Sequence, residues 1–78
     1  MTAAEYLHQI HETRRRRLQS LVDTFQSMRE AAQEIGCYSA SHLSRLCSGK
    51  QAFNEEIARR IEDGFGLEFG ALDRALEG

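Results

Sequence analysis

An all-α architecture of five helices, the first of them prolonged at its N-terminal end, is the fold this sequence predicts. Apolar residues recur at helical spacing along the chain, and no stretch alternates for long enough to form a strand. Residues that cap helices stand before four of the apolar runs, at Thr2, Ser27, Ser39 and Asn54. Glycines close three of them, at Gly36, Gly49 and Gly66. The chain has no proline, so nothing in it forbids a long helix.

The first element runs from about Ala3 to Phe25 and opens with a capping box made by Thr2 and Glu5. Ala3, Leu7, His11, Arg14, Leu18, Leu21, Val22 and Phe25 share one face, with Ile10 at its edge. The C-terminal half of this stripe is apolar, while its middle, at His11 and Arg14, is polar. One helix of about 35 Å fits the pattern, and so do two helices broken near Thr13. Residues 1–12 are read as an extension and residues 13–78 as the compact unit. The second element spans Met28 to Ile35. It has a capping box at Ser27 and Glu30, an inner face of Met28, Ala31, Ala32 and Ile35, and a stop at Gly36. Ala40 to Ser48, between Ser39 and Gly49, form the third, with Leu43 and Leu46 inward. In the fourth, Glu55 to Phe65, Ile57, Ile61 and Phe65 follow i, i+4, i+8 spacing, and Gly64 weakens the last turn by about 1 kcal/mol relative to alanine. The fifth is short, from Phe69 or Gly70 to Glu77, with Leu72, Ala75 and Leu76 inward.

Seventy-eight residues make one small domain whose single core is thin unless burial is efficient or shared with a second chain. Hydrophobic residues at 41% and charged residues at 28% are ordinary for a globular chain and wrong for a disordered one. The net charge of −2 is unevenly spread. Residues 1–50 carry seven Lys or Arg against five Asp or Glu, and residues 51–78 carry three against seven. A nucleic-acid partner would therefore meet a local basic face and bind weakly outside its preferred sequence. Cys37 and Cys47 lack CxxC spacing, which argues against a zinc module or a disulfide framework and for a reduced, cytoplasmic chain. No apolar run approaches the ~18 residues of a membrane span, and the N-terminal stretch lacks the order of a signal peptide.

The second and third elements are joined only by Gly36, Cys37, Tyr38 and Ser39. Two short helices connected so tightly permit a helix-turn-helix geometry. That geometry needs a small residue where the helices cross, which is Ala32, and a residue tolerant of positive φ in the turn, which is Gly36. It needs an apolar side to anchor the second helix, which Leu43 and Leu46 supply. The outer side must be free of bulk if the helix is to approach the floor of a major groove, and Ser41, Ser44 and Ser48 meet that need. Arg45 adds a fork able to pair with guanine O6 and N7.

The segment "IGCYSASHLSRLCSGK" resembles the recognition segment of the lambda repressor/Cro-like helix-turn-helix family. "ARRIEDGFGLEFGALD", from Ala58 to Asp73, resembles that family's fourth and fifth helices. The resemblance covers about Arg14 to Leu76 and implies a five-helix DNA-binding domain over residues 13–78. By position it places Ala40, Ser41, Ser44 and Arg45 at bases. It places Ser27, Met28, Ser39, His42, Ser48, Lys50 and Gln51 at phosphates. Arg17 joins them from the Arg14–Arg17 run, whose four members surround a helix and cannot all meet one backbone. Two departures stand out. The turn is one residue longer than the family's commonest pattern, and Ala71 stands where an aromatic often precedes Leu72. The first twelve residues have no counterpart in the minimal family domain.

Plainer readings accompany each of these. A serine-lined helix face is ordinarily solvated surface, and only its flanking caps and glycines give it direction. Arg14 points to the apolar stripe, where it packs its stem or pairs with an acid. His8 and His11 form no metal set. Cys47 reads as a small core residue, whereas Cys37 lies in the turn, where a redox role is the alternative. Tyr6, Leu7 and Ile10 either pack on the chain's own C-terminal helix or, with Leu72 and Leu76, form a dimer surface. No Gly-rich phosphate loop and no catalytic arrangement of Ser, His and acid is present, so no enzyme, cofactor, metal or small-molecule substrate is expected. The expectation is a homodimeric, sequence-specific repressor of double-stranded DNA, of phage or bacterial kind, with two half-sites ~34 Å apart. A protein-interaction module on the same fold (an antitoxin, antirepressor or adaptor) is the alternative. Acids such as Glu30 and Glu34 set against the basic residues around the third helix would favour it.

Overall fold

The computed structural model describes residues 2–74. It consists of α1 (Ala3–Val22), α2 (Met28–Ile35), α3 (Ala40–Ser48), α4 (Glu55–Phe65) and a 3-10 turn at Ala71–Asp73. Among the described residues there is no strand.

Every α-helix begins at the cap the sequence marks. The side-chain oxygens of Thr2, Ser27, Ser39 and Asn54 accept from the N–H groups of Glu5, Glu30, His42 and Ile57 at 3.2, 3.1, 3.2 and 2.9 Å. Each cap satisfies one of the donors a helix start leaves open. Of the two readings for the first element, the single helix is the one observed. α1 runs unbroken through Thr13 for 20 residues, about 30 Å. It stops at Val22, three residues before the expected Phe25, because the N–H groups of Thr24 and Phe25 turn back to the carbonyls of Leu21 and Val22. Phe25 then stacks on Phe65 with ring centroids 5.8 Å apart.

Instead of a fifth α-helix, the described residues show only the 3-10 turn; Ala75, Leu76 and Glu77 lie outside them. The buried carboxylate of Glu62 accounts for the tight turn. It accepts the N–H of Gly70 at 3.0 Å and that of Leu72 at 2.9 Å, capturing donors at the start of the segment. Leu72 is thereby driven into the core.

That core gathers Leu18 and Val22 of α1, Ala31 and Ile35 of α2, Leu43 and Leu46 of α3, and Ala58 and Ile61 of α4, with Phe53 and Leu72 from the connections. α2 lies unusually close to α4. A Cβ placed on Gly64 would stand 2.5 Å from Cγ1 of Ile35 and 2.7 Å from its carbonyl oxygen. The glycine read from sequence as a weakness in α4 is what lets the two helices meet.

Arg14, expected to pack or to pair, is buried and does both. Its Nε and Nη2 donate to Asp73 at 2.6 and 3.2 Å, and its Nη1 donates to the Phe53 carbonyl at 2.8 Å. Arg59 stands 2.9 Å from Asp73 and 3.0 Å from Glu62. Charges withdrawn from water persist only when paired in this way. Burial raises the Asp73 carboxyl, but the hydrogen bonds from Arg14 and the guanidinium of Arg59 beside it outweigh burial and hold the group below its ordinary value. The row Arg14–Asp73–Arg59–Glu62 ties the 3-10 turn to α1 and α4.

Candidate nucleic-acid interface

The α2–α3 connection turns on Gly36, whose φ of +78° is a left-handed conformation that costs glycine nothing. Tyr38 fills the longer turn by packing against the core and setting its ring edge-on to His42, with centroids 4.3 Å apart. Leu43 and Leu46 anchor α3 from behind. Ser41, Ser44, Arg45 and Ser48 are exposed on its other side, and Ala40 is half-buried at its start. A second left-handed glycine, Gly49, ends the helix. There the Arg45 carbonyl accepts from the Lys50 N–H at 3.0 Å and from the Ser48 hydroxyl at 3.2 Å.

The residues expected at phosphates are not all equally placed. Ser27 and Ser39 use a lone pair for capping, which leaves each hydroxyl proton free to donate. The N–H groups of Met28 and Arg29 open the first turn of α2, where the helix carries partial positive charge, while the Met28 side chain packs on the core. Lys50 is exposed and Gln51 half-buried. His42 is turned onto Tyr38, and its Nε2 is enclosed without a hydrogen-bond partner, so that edge of the ring is closed to a phosphate. On α1 it is Arg15, not Arg17, that reaches this region: a Cβ on Gly49 would stand 3.4 Å from Nη1 of Arg15. Arg17 lies two residues on, about 200° around the helix from Arg15. Sequence reasoning set Arg14 apart from the run but chose Arg17 rather than Arg15 for phosphate. The helical angle relative to Leu18 and Val22 is the signal that separates its members.

Of the residues expected to pair two chains, Tyr6 and Leu7 are more than half exposed and Ile10 is half-buried. Leu72 instead fills the chain's own core and has no surface to offer a second copy. Leu76 lies outside the described residues.

Electrostatics sort the cations into two groups. Arg14, Arg15, Arg16, Arg59, Arg60 and Arg74 each meet a carboxylate. Among the described residues no ion pair involves Arg17, Arg29, Arg45 or Lys50, and three of these four lie on or beside the α2–α3 unit. Neither Glu30 nor Glu34 forms an ion pair with any of them.

Residues 27–72, more than half of the chain, match a family model described as helix-turn-helix. The chain belongs to the lambda repressor/Cro-like helix-turn-helix family. No curated protein and no solved structure matches it significantly. This family is one of DNA-binding regulators. The match begins at the Ser27 cap, so α1 lies outside it, and it ends at Leu72, the last core residue among those described. Within the helix-turn-helix unit the thiol of Cys47 is pushed up by burial and then by the charge of Asp23, which makes it a poor nucleophile. Cys37 is exposed, with its sulfur 3.9 Å from the Arg60 carbonyl. Among the described residues no helix is long and apolar enough to cross a membrane, and no three His, Cys, Asp or Glu side chains are grouped so as to hold a metal ion.

Proposed function

We propose that this chain is a sequence-specific binder of double-stranded DNA that acts as a homodimeric repressor, with α3 lying in the major groove. One observation carries the reading. The exposed face of α3 is narrow and serine-lined, and its one long side chain, Arg45, has no carboxylate partner among the described residues. An arginine left free in a chain that pairs most of its arginines is available for a bidentate contact with guanine. Ala40, Ser41 and Ser44 let the backbone come close. Ser27, Met28, Ser39, Ser48, Lys50 and Gln51 hold phosphates on either side and set register without reading sequence. The second copy joins through Tyr6, Leu7 and Ile10, an apolar patch on the first turns of α1 that a solitary domain would leave wet.

Selection of bound sequences from a random duplex pool, followed by titration of the winner at several salt concentrations, tests this. A two-fold symmetric consensus is expected, with half-sites one helical turn apart. Recovery of no preferred sequence, with uniform and strongly salt-dependent binding, would sink the specific reading.

A further inference from the structure

The first half of α1 lies outside the helix-turn-helix match, yet it faces the end of α3. His8, His11, Glu12 and Arg15 stand at i, i+3, i+4 and i+7 and therefore share one helix face. Ser48, Gly49 and Gln51 stand opposite, and a cleft of about 360 Å³ separates the two walls. Glu12 is the one acid lining it. The Glu12 carboxylate holds two guanidinium groups at once: Nη2 of Arg15 donates to one oxygen, and Nε of Arg16 donates to the other at 3.2 Å. Phosphate oxygens would satisfy the same two arginines in the same manner.

We propose that this cleft is a second station for the DNA backbone, in which Arg15, His8 and His11 take phosphate while Glu12 is a resident competitor that phosphate displaces. The idea rests on the DNA-binding reading above. Its support is positional and chemical. The cleft wall at Ser48 and Gln51 belongs to the segment assigned to phosphate, next to Lys50, so a strand held there passes the cleft mouth. From His8 to Arg15 the helix advances about 10 Å, enough to follow one strand, rising 3.4 Å per nucleotide, past more than a single phosphate. Neither histidine makes a hydrogen bond among the described residues, so both rings can donate outward. Glu12 keeps Arg15 occupied until a phosphate arrives, which holds down affinity for any DNA that fails to bring a strand into the cleft.

Fluorescence-anisotropy titration of the full chain with a random-sequence duplex, over a range of salt, tests this. Glu12→Gln is expected to tighten binding by about two- to fivefold, the size of an exposed ion pair. Arg15→Gln is expected to weaken it and to reduce the slope of log K against log salt by about 0.9. Glu68→Gln removes the same charge from a carboxylate paired with Arg74, and it should change neither quantity comparably. Circular dichroism checks that each variant is folded. If Arg15→Gln is not, the double variant His8→Gln/His11→Gln takes its place, with weaker binding expected. Should Glu12→Gln and the folded cation variant bind as wild type does while Arg45→Ala loses selectivity, the cleft proposal falls and the α3 reading stands. Should wild type bind no duplex at any salt, both fall.

Discussion

Replacing Gly64 by alanine sets two effects of known size against each other. Helix propensity alone favours alanine in α4 by about 1 kcal/mol. Packing opposes it. The new methyl would stand 2.5 Å from Cγ1 of Ile35 and 2.7 Å from the Ile35 carbonyl oxygen, where carbon atoms prefer about 3.5–4.0 Å. The Ile35 side chain can rotate, but its carbonyl belongs to the last residue of α2 and cannot yield without moving that helix. Overpacking of this kind costs about 1–3 kcal/mol, and the backbone clash puts this site in the upper part of that range. The net expectation is a loss of about 1–2 kcal/mol, or about 4–16 °C in Tm for a domain of this length. Thermal unfolding followed by far-UV circular dichroism measures it. Because α2 carries the turn that aims α3, DNA affinity should fall as well, even at temperatures where the variant remains folded. A Tm equal to or above wild type would mean that α2 and α4 are not in the close contact described, and the placement of α3 would have to be re-derived.

Arg45→Ala should cost about 1–3 kcal/mol in binding the preferred duplex and relax selection at one base pair, read by comparing single-substituted duplexes. Lys50→Ala should weaken binding to all sequences alike and reduce the salt slope by about one unit; a selective loss would contradict a phosphate role. The carboxyl of Asp73 titrates below its ordinary value, so its contribution to stability is complete above the usual carboxylate range and is lost as pH falls below about 4. Asp73→Asn should flatten that acid limb in denaturant titrations. It should also destabilise the protein at neutral pH by about 1–3 kcal/mol, less than loss of a fully buried pair would, since Asp73 is partly exposed.

The α-helical fold was legible because its signals are local. Thr2, Ser27, Ser39 and Asn54 hydrogen-bond three residues ahead, and Gly36 and Gly49 answer to their own φ, so sequence spacing is enough to find both ends of α2 and α3. What escaped the reading depends on distant partners. Glu62 looks like one more acid in an acidic half, and its burial under the N–H groups of Gly70 and Leu72 decides that the last segment begins as a 3-10 turn. The value of Gly64 is set by Ile35, far away in sequence. At the candidate site the serine face of α3 and Arg45 could be found from periodicity, since exposure there follows from Leu43 and Leu46 facing inward. Helix phase set Arg14 apart, but Arg15 could not be chosen over Arg17 until the position of Gly49 was known.

Those same arginines show how an acidic chain can present a basic face. A net charge of −2 repels DNA at long range, and binding must overcome that at contact. The acids are not spread against the cations at random. Asp73 and Glu62 are drawn inward to hold Arg14 and Arg59, and Glu56 and Glu68 are engaged with Arg60 and Arg74 on the acidic half. Paired charges cancel within a few ångströms, and their field dies quickly in salt. What survives at short range is the unpaired set, in which Arg29, Arg45 and Lys50 around α2 and α3 outnumber the unpaired Glu30 and Glu34 of α2. α3 holds no carboxylate of its own, and none pairs with Arg45, so that helix is cationic while the molecule is not. On the proposed reading, little of the affinity would come from charge alone, so such a protein should discriminate sharply through close fit along α3.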